Sequence, residues 1–175
     1  MRINSLVESS RANGPGARFV IWLQGCEKRC PGCFNKGSHD LEGGETISID
    51  ELVTKIEDKN VTFSGGEPLL QMKELEDLIL KLPYETTYVL FTGLDFEELT
   101  SEHKIFLAKY IDLAVVGSYD ETKKVKEKVP LISSYNQIYL YGGKRKYTFE
   151  DLQDIPEIEI IIDKNGNQIR SGIGW

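Results

Sequence analysis

No stretch of this chain approaches the roughly 20 consecutive apolar residues that a membrane-spanning helix needs. The first residues, Met1-Arg-Ile-Asn-Ser-Leu-Val-Glu, have no long apolar core and no cleavage signature, so they do not read as a secretory signal. The expectation is a cytoplasmic protein with no membrane partner. A basic surplus is also missing. Lys and Arg number 21 against 28 Asp and Glu, a net charge of −7, which disfavours nucleic acid as a partner. The one basic run, Lys144-Arg145-Lys146, reads as a solvated turn after Gly142-Gly143. There is no internal repeat, low-complexity tract or linker. With 175 residues, 40% hydrophobic and 28% charged, the chain is expected to form a single domain over 1–175 with a real core. Cysteine is scarce: only three occur, at Cys26, Cys30 and Cys33. Three thiols are one short of a closed four-thiolate metal site. An odd number of close-set cysteines in a cytosolic protein points to metal or redox chemistry rather than a disulfide framework.

What the chain does have is alternation. Arg18 to Gln24 is apolar, β-branched and aromatic and reads as a buried strand. Ser48 with Glu51 forms a capping box that opens a helix over Ile49 to Ile56. Asn60 to Ser64 is a second strand, ended by Gly65-Gly66. Met72, Leu75, Leu78, Ile79 and Leu82 recur on one face of a second helix. Thr86 to Phe91 is a third strand. Asp95 with Glu98 starts a helical region reaching Tyr110, with a break near Thr100-Ser101. Asp112 to Val116 is a fourth strand, and Asp120 to Lys128 is a short, weakly amphipathic helix ended by Pro130. Gln137 to Tyr141 and Glu157 to Ile162 supply a fifth and sixth strand. Asn165-Gly166 then turns into a last short strand, Gln168 to Ile173. This pattern predicts an α/β fold: an open, partial β/α barrel of about six mostly parallel strands.

In α/β folds, sites gather at the carboxyl ends of the strands. The cysteine loop follows the first strand, Gly65-Gly66-Glu67-Pro68 the second, Thr92-Gly93 the third and Gly117-Ser118 the fourth. Cys26, Cys30 and Cys33 can fold round one centre, with Pro31 and Gly32 helping the chain turn. Lys28 and Arg29 between them would favour thiolates. Two centres suit such a loop: a zinc site completed by His39, or a four-iron cluster that keeps one iron open for a substrate. At Gly65-Gly66, two glycines let a ligand approach the backbone closely, and free strand-end carbonyls can accept from an ammonium group.

Together, the C-x3-C-x2-C loop and the Gly-Gly-Glu-Pro strand end resemble the radical S-adenosylmethionine superfamily. The resemblance implies that Cys26, Cys30 and Cys33 hold a 4Fe–4S cluster and act through it. It implies S-adenosylmethionine as second cofactor and a 5′-deoxyadenosyl radical as the hydrogen-abstracting species. Asn13-Gly14-Pro15-Gly16-Ala17-Arg18, followed by Gly-Cys-x3-Cys-Pro-Gly-Cys-Phe-Asn35, is similar to the small activating enzymes of glycyl-radical enzymes, above all those of the anaerobic ribonucleoside-triphosphate reductases. Phe91-Thr92-Gly93-Leu94 is similar to a Trp-Thr-Gly-Tyr stretch there, and Asn136-Gln137 to a late Ser-Ser-Asn-Gln. Carried over, Gly32 and Phe34 lie near the adenine, Gly65, Gly66 and Glu67 serve the methionine end, and Thr92 and Gly93 contact the cofactor.

The implied partners are a large glycyl-radical enzyme as protein substrate and a flavodoxin- or ferredoxin-like electron donor. With no further cysteine there is no place for auxiliary clusters. Two departures stand out. Where these activases read Val-Asp-Gly-Lys-Phe, this chain reads Val115-Val-Gly-Ser-Tyr119, so Val116 and Ser118 replace an acid and a base. The late Arg-Gly-Ser-Ser-Asn-Gln becomes Ile132-Ser-Ser-Tyr-Asn-Gln137. A small radical enzyme acting on a small molecule or peptide, and a non-catalytic zinc-binding module, are the alternatives.

Overall fold

The computed structural model describes residues 1–162, 166 and 168–172. In chain order its elements are β1 (Arg2–Ser10), β2 (Arg18–Leu23), β3 (Glu45–Thr46), α1 (Ile49–Ile56), β4 (Asn60–Gly65), α2 (Met72–Lys81), β5 (Tyr88–Thr92), α3 (Ser101–Tyr110), β6 (Leu113–Val116), β7 (Ile138–Tyr141), β8 (Ile158–Ile162) and β9 (Gln168–Gly172), with short 3-10 turns between.

One open sheet of seven strands has the order β3-β1-β2-β4-β5-β6-β7. Its middle, β2-β4-β5-β6, is parallel, in a register that sets Val20 beside Thr62, Thr62 beside Val89 and Val89 beside Leu113. β1, β3 and β7 are antiparallel additions. The expectation of about six mostly parallel strands is therefore corrected to a mixed sheet. β1 was not anticipated, because Arg2–Ser10 alternates too weakly to show a strand's period. The strand expected over Glu157 to Ile162 does not join this sheet. It pairs antiparallel with β9 as a separate two-stranded sheet. A run of isoleucines shows β propensity but not a partner. Asn165 and Ile173, from the expected turn and last strand, lie outside the described residues.

The parallel strands are covered on both faces, which is why they read as continuous apolar runs. Against one face pack Leu52 and Ile56 of α1, Leu75, Leu78 and Ile79 of α2, and Phe106 and Leu107 of α3, meeting Phe19, Ile21, Phe63, Leu90 and Val116. Each such side chain contributes about 1.5–3 kcal/mol on burial. On the other face Val89, Leu113 and Val115 meet Leu131, Ile132, Tyr147, Leu152 and Ile155, which come from loops rather than helices.

α1 begins as expected: the Ser48 hydroxyl accepts from the Glu51 amide at 3.1 Å. The region from Asp95 is corrected. Asp95 to Leu99 is a turn closed by the Glu98 carboxylate on the Asp95 amide at 2.7 Å, and α3 starts only after Thr100, capped by a Thr100–His103 box. The helix expected over Asp120 to Lys128 is a single 3-10 turn, Glu121–Lys123, with the Asp120 carboxylate capping Thr122. Lys144-Arg145-Lys146 is an exposed turn, as expected, whose Lys144 and Arg145 amides donate to Asp112.

At the amino ends of the parallel strands lies Arg18, 1% exposed. It donates to Thr62 Oγ1, the Pro15, Val61 and Thr87 carbonyls, Thr87 Oγ1 and the Tyr147 hydroxyl. Burial holds its pKa below the usual arginine value. The guanidinium thus ties β4, β5 and the 13–16 loop together through neutral acceptors.

Candidate functional site

The four segments that end the parallel strands meet. A cleft of about 240 Å³ is lined by Cys26, Cys30, Cys33, Phe34, Gly65, Gly66, Thr92, Gly93 and Gly117, with Asn13, Trp22, Ser64, Phe91 and Tyr119 among its other walls. The connection rule for parallel sheets puts these loops on one rim, and the register of β2, β4, β5 and β6 delivers it. Eight of the ten residues expected at the site therefore line one cleft. Gly32 and Glu67 stand behind it.

The cysteine loop is held by its backbone. Gly25 donates to the Ser38 carbonyl at 2.7 Å, Cys26 to that of His39 at 3.2 Å and Cys33 to that of Cys30 at 3.2 Å. Arg29 has φ 49°, a left-handed conformation that costs a non-glycine residue about 1–2 kcal/mol. Gly32, at φ 72°, packs so near the next loop that a Cβ would come within 3.2 Å of Tyr119 and Glu121. Phe34 lies against Tyr119 with ring centroids 4.7 Å apart. Asn35 donates to the Gly65 carbonyl at 3.2 Å, fastening this loop to the end of β4.

Gly65 and Gly66 are glycines for a reason the sequence did not show. A Cβ on Gly65 would overlap the Leu23 backbone, and one on Gly66 the Gly25 carbonyl. Their absent side chains let the ends of β4 and β2 touch, with Gly66 donating to Leu23 at 2.8 Å and Glu67 to Gly25 at 2.7 Å. The Glu67 carboxylate turns inward, away from the cleft. It accepts from the Leu69 amide at 3.0 Å, the Thr92 hydroxyl at 2.8 Å and the Gly93 amide at 2.8 Å. Burial pushes its pKa up, against the pull of these three donors. Glu67 is thus a positioning residue that joins the β4 rim to the β5 rim.

The thiols are free. Burial pushes Cys30 and Cys33 up. The Tyr119 amide acting on Cys30 and the Asn35 amide acting on Cys33 oppose this without reversing it. The expectation for Lys28 holds in direction: it favours the Cys30 thiolate, though it is drawn to Glu98 at 2.5 Å and burial outweighs it.

The donor set fits a three-cysteine cluster. Three thiols face one cleft, amide N–H groups are placed to support two of the sulfurs, and an adjoining glycine edge offers backbone to a second ligand. His39 lines the same cleft, its Nε2 buried without a hydrogen-bond partner. Among the described residues, no three His, Cys, Asp or Glu side chains gather round a single-ion position, as a zinc site would need.

Sequence reasoning missed Trp22, Phe91, Tyr119, Ser133 and residues 170–172 as lining residues. Trp22 and Phe91 could have been found by strand alternation, since each sits two positions from a residue on the loop-covered face. The rest depend on loop packing. The Asn13 loop, which alone reads as a flexible turn, is fixed: the Thr62 hydroxyl donates to the Asn13 carbonyl at 2.8 Å. The departures have a geometry too. Val116 is fully buried among the helix-facing residues. Ser118 donates through its amide and hydroxyl to Asp95, at 2.9 and 3.1 Å. Among the described residues no helix is long and apolar enough to cross a membrane.

Residues 12–140 match the family described as 4Fe-4S single cluster domain. The chain is 26% identical over 127 residues to the anaerobic ribonucleoside-triphosphate reductase-activating protein of Enterobacteria phage T4, covering 66% of this chain and 79% of that one. It is 40% identical over 90 residues to the pyruvate formate-lyase-activating enzyme of Clostridium pasteurianum, and 33% over 85 residues to pyruvate formate-lyase 1-activating enzyme of Escherichia coli strain K12. These last two matches span 46% and 43% of this chain but only 37% and 35% of the relatives. The match thus takes in most of the reductase-activating protein but little more than a third of either pyruvate formate-lyase enzyme. With its three cysteines on one cleft, the chain belongs to the 4Fe-4S single cluster domain family, within the radical S-adenosylmethionine enzymes that work with a 4Fe–4S cluster and S-adenosylmethionine.

Proposed function

We propose that this protein is an activase that abstracts hydrogen from a glycine of a partner glycyl-radical enzyme, with the anaerobic ribonucleoside-triphosphate reductase as partner, a reading supported by the match to a reductase-activating protein over 66% of this chain. The carrying observation is the convergence of Cys26, Cys30 and Cys33 with Gly65, Gly66, Thr92 and Gly93 on one cleft. On this reading residues 1–175 act as one domain, and the open sheet serves as a partial barrel with the site at its rim. The cluster and S-adenosylmethionine, with one electron from a flavodoxin- or ferredoxin-like donor, supply methionine and a 5′-deoxyadenosyl radical that takes the hydrogen.

The chain's own part is placement. Cys26, Cys30 and Cys33 hold the iron, leaving one metal position for the second cofactor. Gly65 and Gly66 offer a strand end to the methionine amino group, with Glu67 fixing that rim from behind. Phe34, held by Tyr119, and Gly32 shape the adenine side, and Thr92 and Gly93 border the cofactor. Trp22 and Phe91 keep the walls apolar, which excludes water from a radical reaction.

Anaerobic reconstitution tests the reading. Wild type should carry about four irons per chain, as a single cubane requires. It should cleave S-adenosylmethionine to 5′-deoxyadenosine and raise a glycyl radical signal in the co-incubated reductase. Cys30→Ala should do neither. Formation of 5′-deoxyadenosine with no radical in any candidate partner, but with turnover of a small molecule, overturns it.

A further inference from the structure

The family match ends at residue 140, yet hairpin β8–β9 beyond it reaches the site: Arg170, Ser171 and Gly172 line the same cleft as the three cysteines. The register sets Ile158 opposite Gly172, Glu159 opposite Ser171, Ile160 opposite Arg170 and Ile162 opposite Gln168. Residues directly opposite share a face of the ribbon. One face is anchored. Glu159 accepts from the Ser10 hydroxyl at 2.6 Å and the Arg11 amide at 2.9 Å, and Asn13 donates to Ser171. The other face bears Ile158, Ile160 and Ile162, which are 43%, 56% and 64% exposed.

A solvated strand face ordinarily alternates to polar residues. Here every outward position of β8 is isoleucine, and Arg170 stands opposite the middle one. The face is also continuous with the site, because Arg170 and Gly172 belong at once to it and to the cleft wall.

We propose that this face is a docking surface for the protein substrate, fitted to an apolar strip on that partner. The inference rests on the activase reading above. A large protein that delivers a glycine into the cleft must cover the rim, and the hairpin is a part of that rim lying beyond the residues of the family match. The hairpin thereby selects which protein is admitted. The isoleucine strip supplies contact area.

The test uses the reconstituted full chain. Ile160→Glu places an acid on the strip, opposite Arg170, where a cross-strand pair keeps the ribbon formed. Ile160→Thr keeps the β-branched shape and serves as the gentler variant. Partner is titrated and the glycyl radical yield is read, together with 5′-deoxyadenosine formed without partner. The expected result for Ile160→Glu is about a tenfold rise in the partner concentration at half-maximal yield, with the plateau and the partner-free reaction unchanged. Ile160→Thr should fall between it and wild type.

Unchanged half-saturation in both variants overturns the proposal while leaving the activase reading standing. So does a wild-type dimer that Ile160→Glu converts to monomer at unchanged half-saturation, which would make the face a contact between copies of this chain. A wild type that raises no glycyl radical in any partner overturns the activase reading, and this proposal with it.

Discussion

Gly66→Ala is the most direct probe of how the cleft is built. An alanine Cβ would overlap the Gly25 carbonyl oxygen and lie 2.8 Å from its carbon, against the 3.5–4.0 Å at which carbon atoms rest. The end of β4 must retreat by roughly 1 Å to accommodate it. That opens the Glu67 amide contact to Gly25, now 2.7 Å, beyond hydrogen-bond range. Overpacking costs about 1–3 kcal/mol and the lost hydrogen bond about 1 kcal/mol. The expected destabilisation is therefore about 2–4 kcal/mol.

Urea denaturation of the metal-free, reduced chain measures this without involving any cofactor. Gly37→Ala is the control, since a Cβ there meets nothing within 4 Å and Gly37 has no positive φ. It should stay within about 0.5 kcal/mol of wild type. If Gly66→Ala does the same, the strand-end packing argument is wrong, and the glycine would have to be there for a ligand alone. A second readout separates these roles further. Displacement of Gly66 also moves Gly65, whose carbonyl holds Asn35, so Gly66→Ala should lower iron loading as well as stability.

Arg18→Met should cost about 3–5 kcal/mol in the same denaturation experiment, because it strips the donors from buried acceptors on β4, β5 and the 13–16 loop; a loss under about 1 kcal/mol would refute that role. Glu98→Gln tests the Lys28 bridge. Lys28 holds the Glu98 pKa below the usual 4.5, so this contribution is present above pH 4.5 and is lost as pH falls through the lower, folded-state value. Glu98 is exposed and Lys28 partly so, and the difference from wild type at neutral pH should therefore stay under about 1 kcal/mol and vanish in acid, read from stability curves against pH. Iron loading followed by visible absorption should improve as pH is raised from neutral toward 9, since Cys30 and Cys33 lie above the ordinary thiol value of 9.0 and must release protons to bind metal; loading independent of pH would contradict the burial of these thiols.

How much of this was legible in the sequence follows from which forces are local. The β2, β4, β5 and β6 strands, the Ser48 cap and the rim assignment of the cysteine, Gly-Gly and Thr-Gly segments could be read because apolar runs and caps are local signals. β1 could not be recognised, since its pairing with β2 is interrupted by two register shifts and it carries few β-branched residues. The Asp95 region misled because Glu98 serves the turn at Asp95, while the true cap is Thr100 with His103. A capping pattern marks a polar closure three residues long without saying which of two closures a chain will use. The reason for Gly65-Gly66 was hidden for another cause: their Cβ positions are forbidden by β2, forty residues earlier in the chain. The structural part played by the Glu67 side chain was hidden in the same way, since its hydrogen bonds to Thr92 and Gly93 span 25 and 26 residues.

The departure at Val116 and Ser118, at the end of β6, follows the same long-range logic. An acid at position 116 would stand in a fully buried place within the helix-side core, where an unpaired carboxylate is costly. In this chain Val116 leaves that place apolar, and the acid at the strand end comes from the neighbouring loop as Asp95, whose carboxylate holds both the amide and the hydroxyl of Ser118. Asn136 closes the other side by donating to the Ser118 carbonyl at 2.9 Å. The segment that follows carries Tyr119, the residue that packs on Phe34 and whose amide serves Cys30. Exchanging the acid and base for Val116 and Ser118 therefore leaves the cluster loop supported, through Asp95 and Asn136.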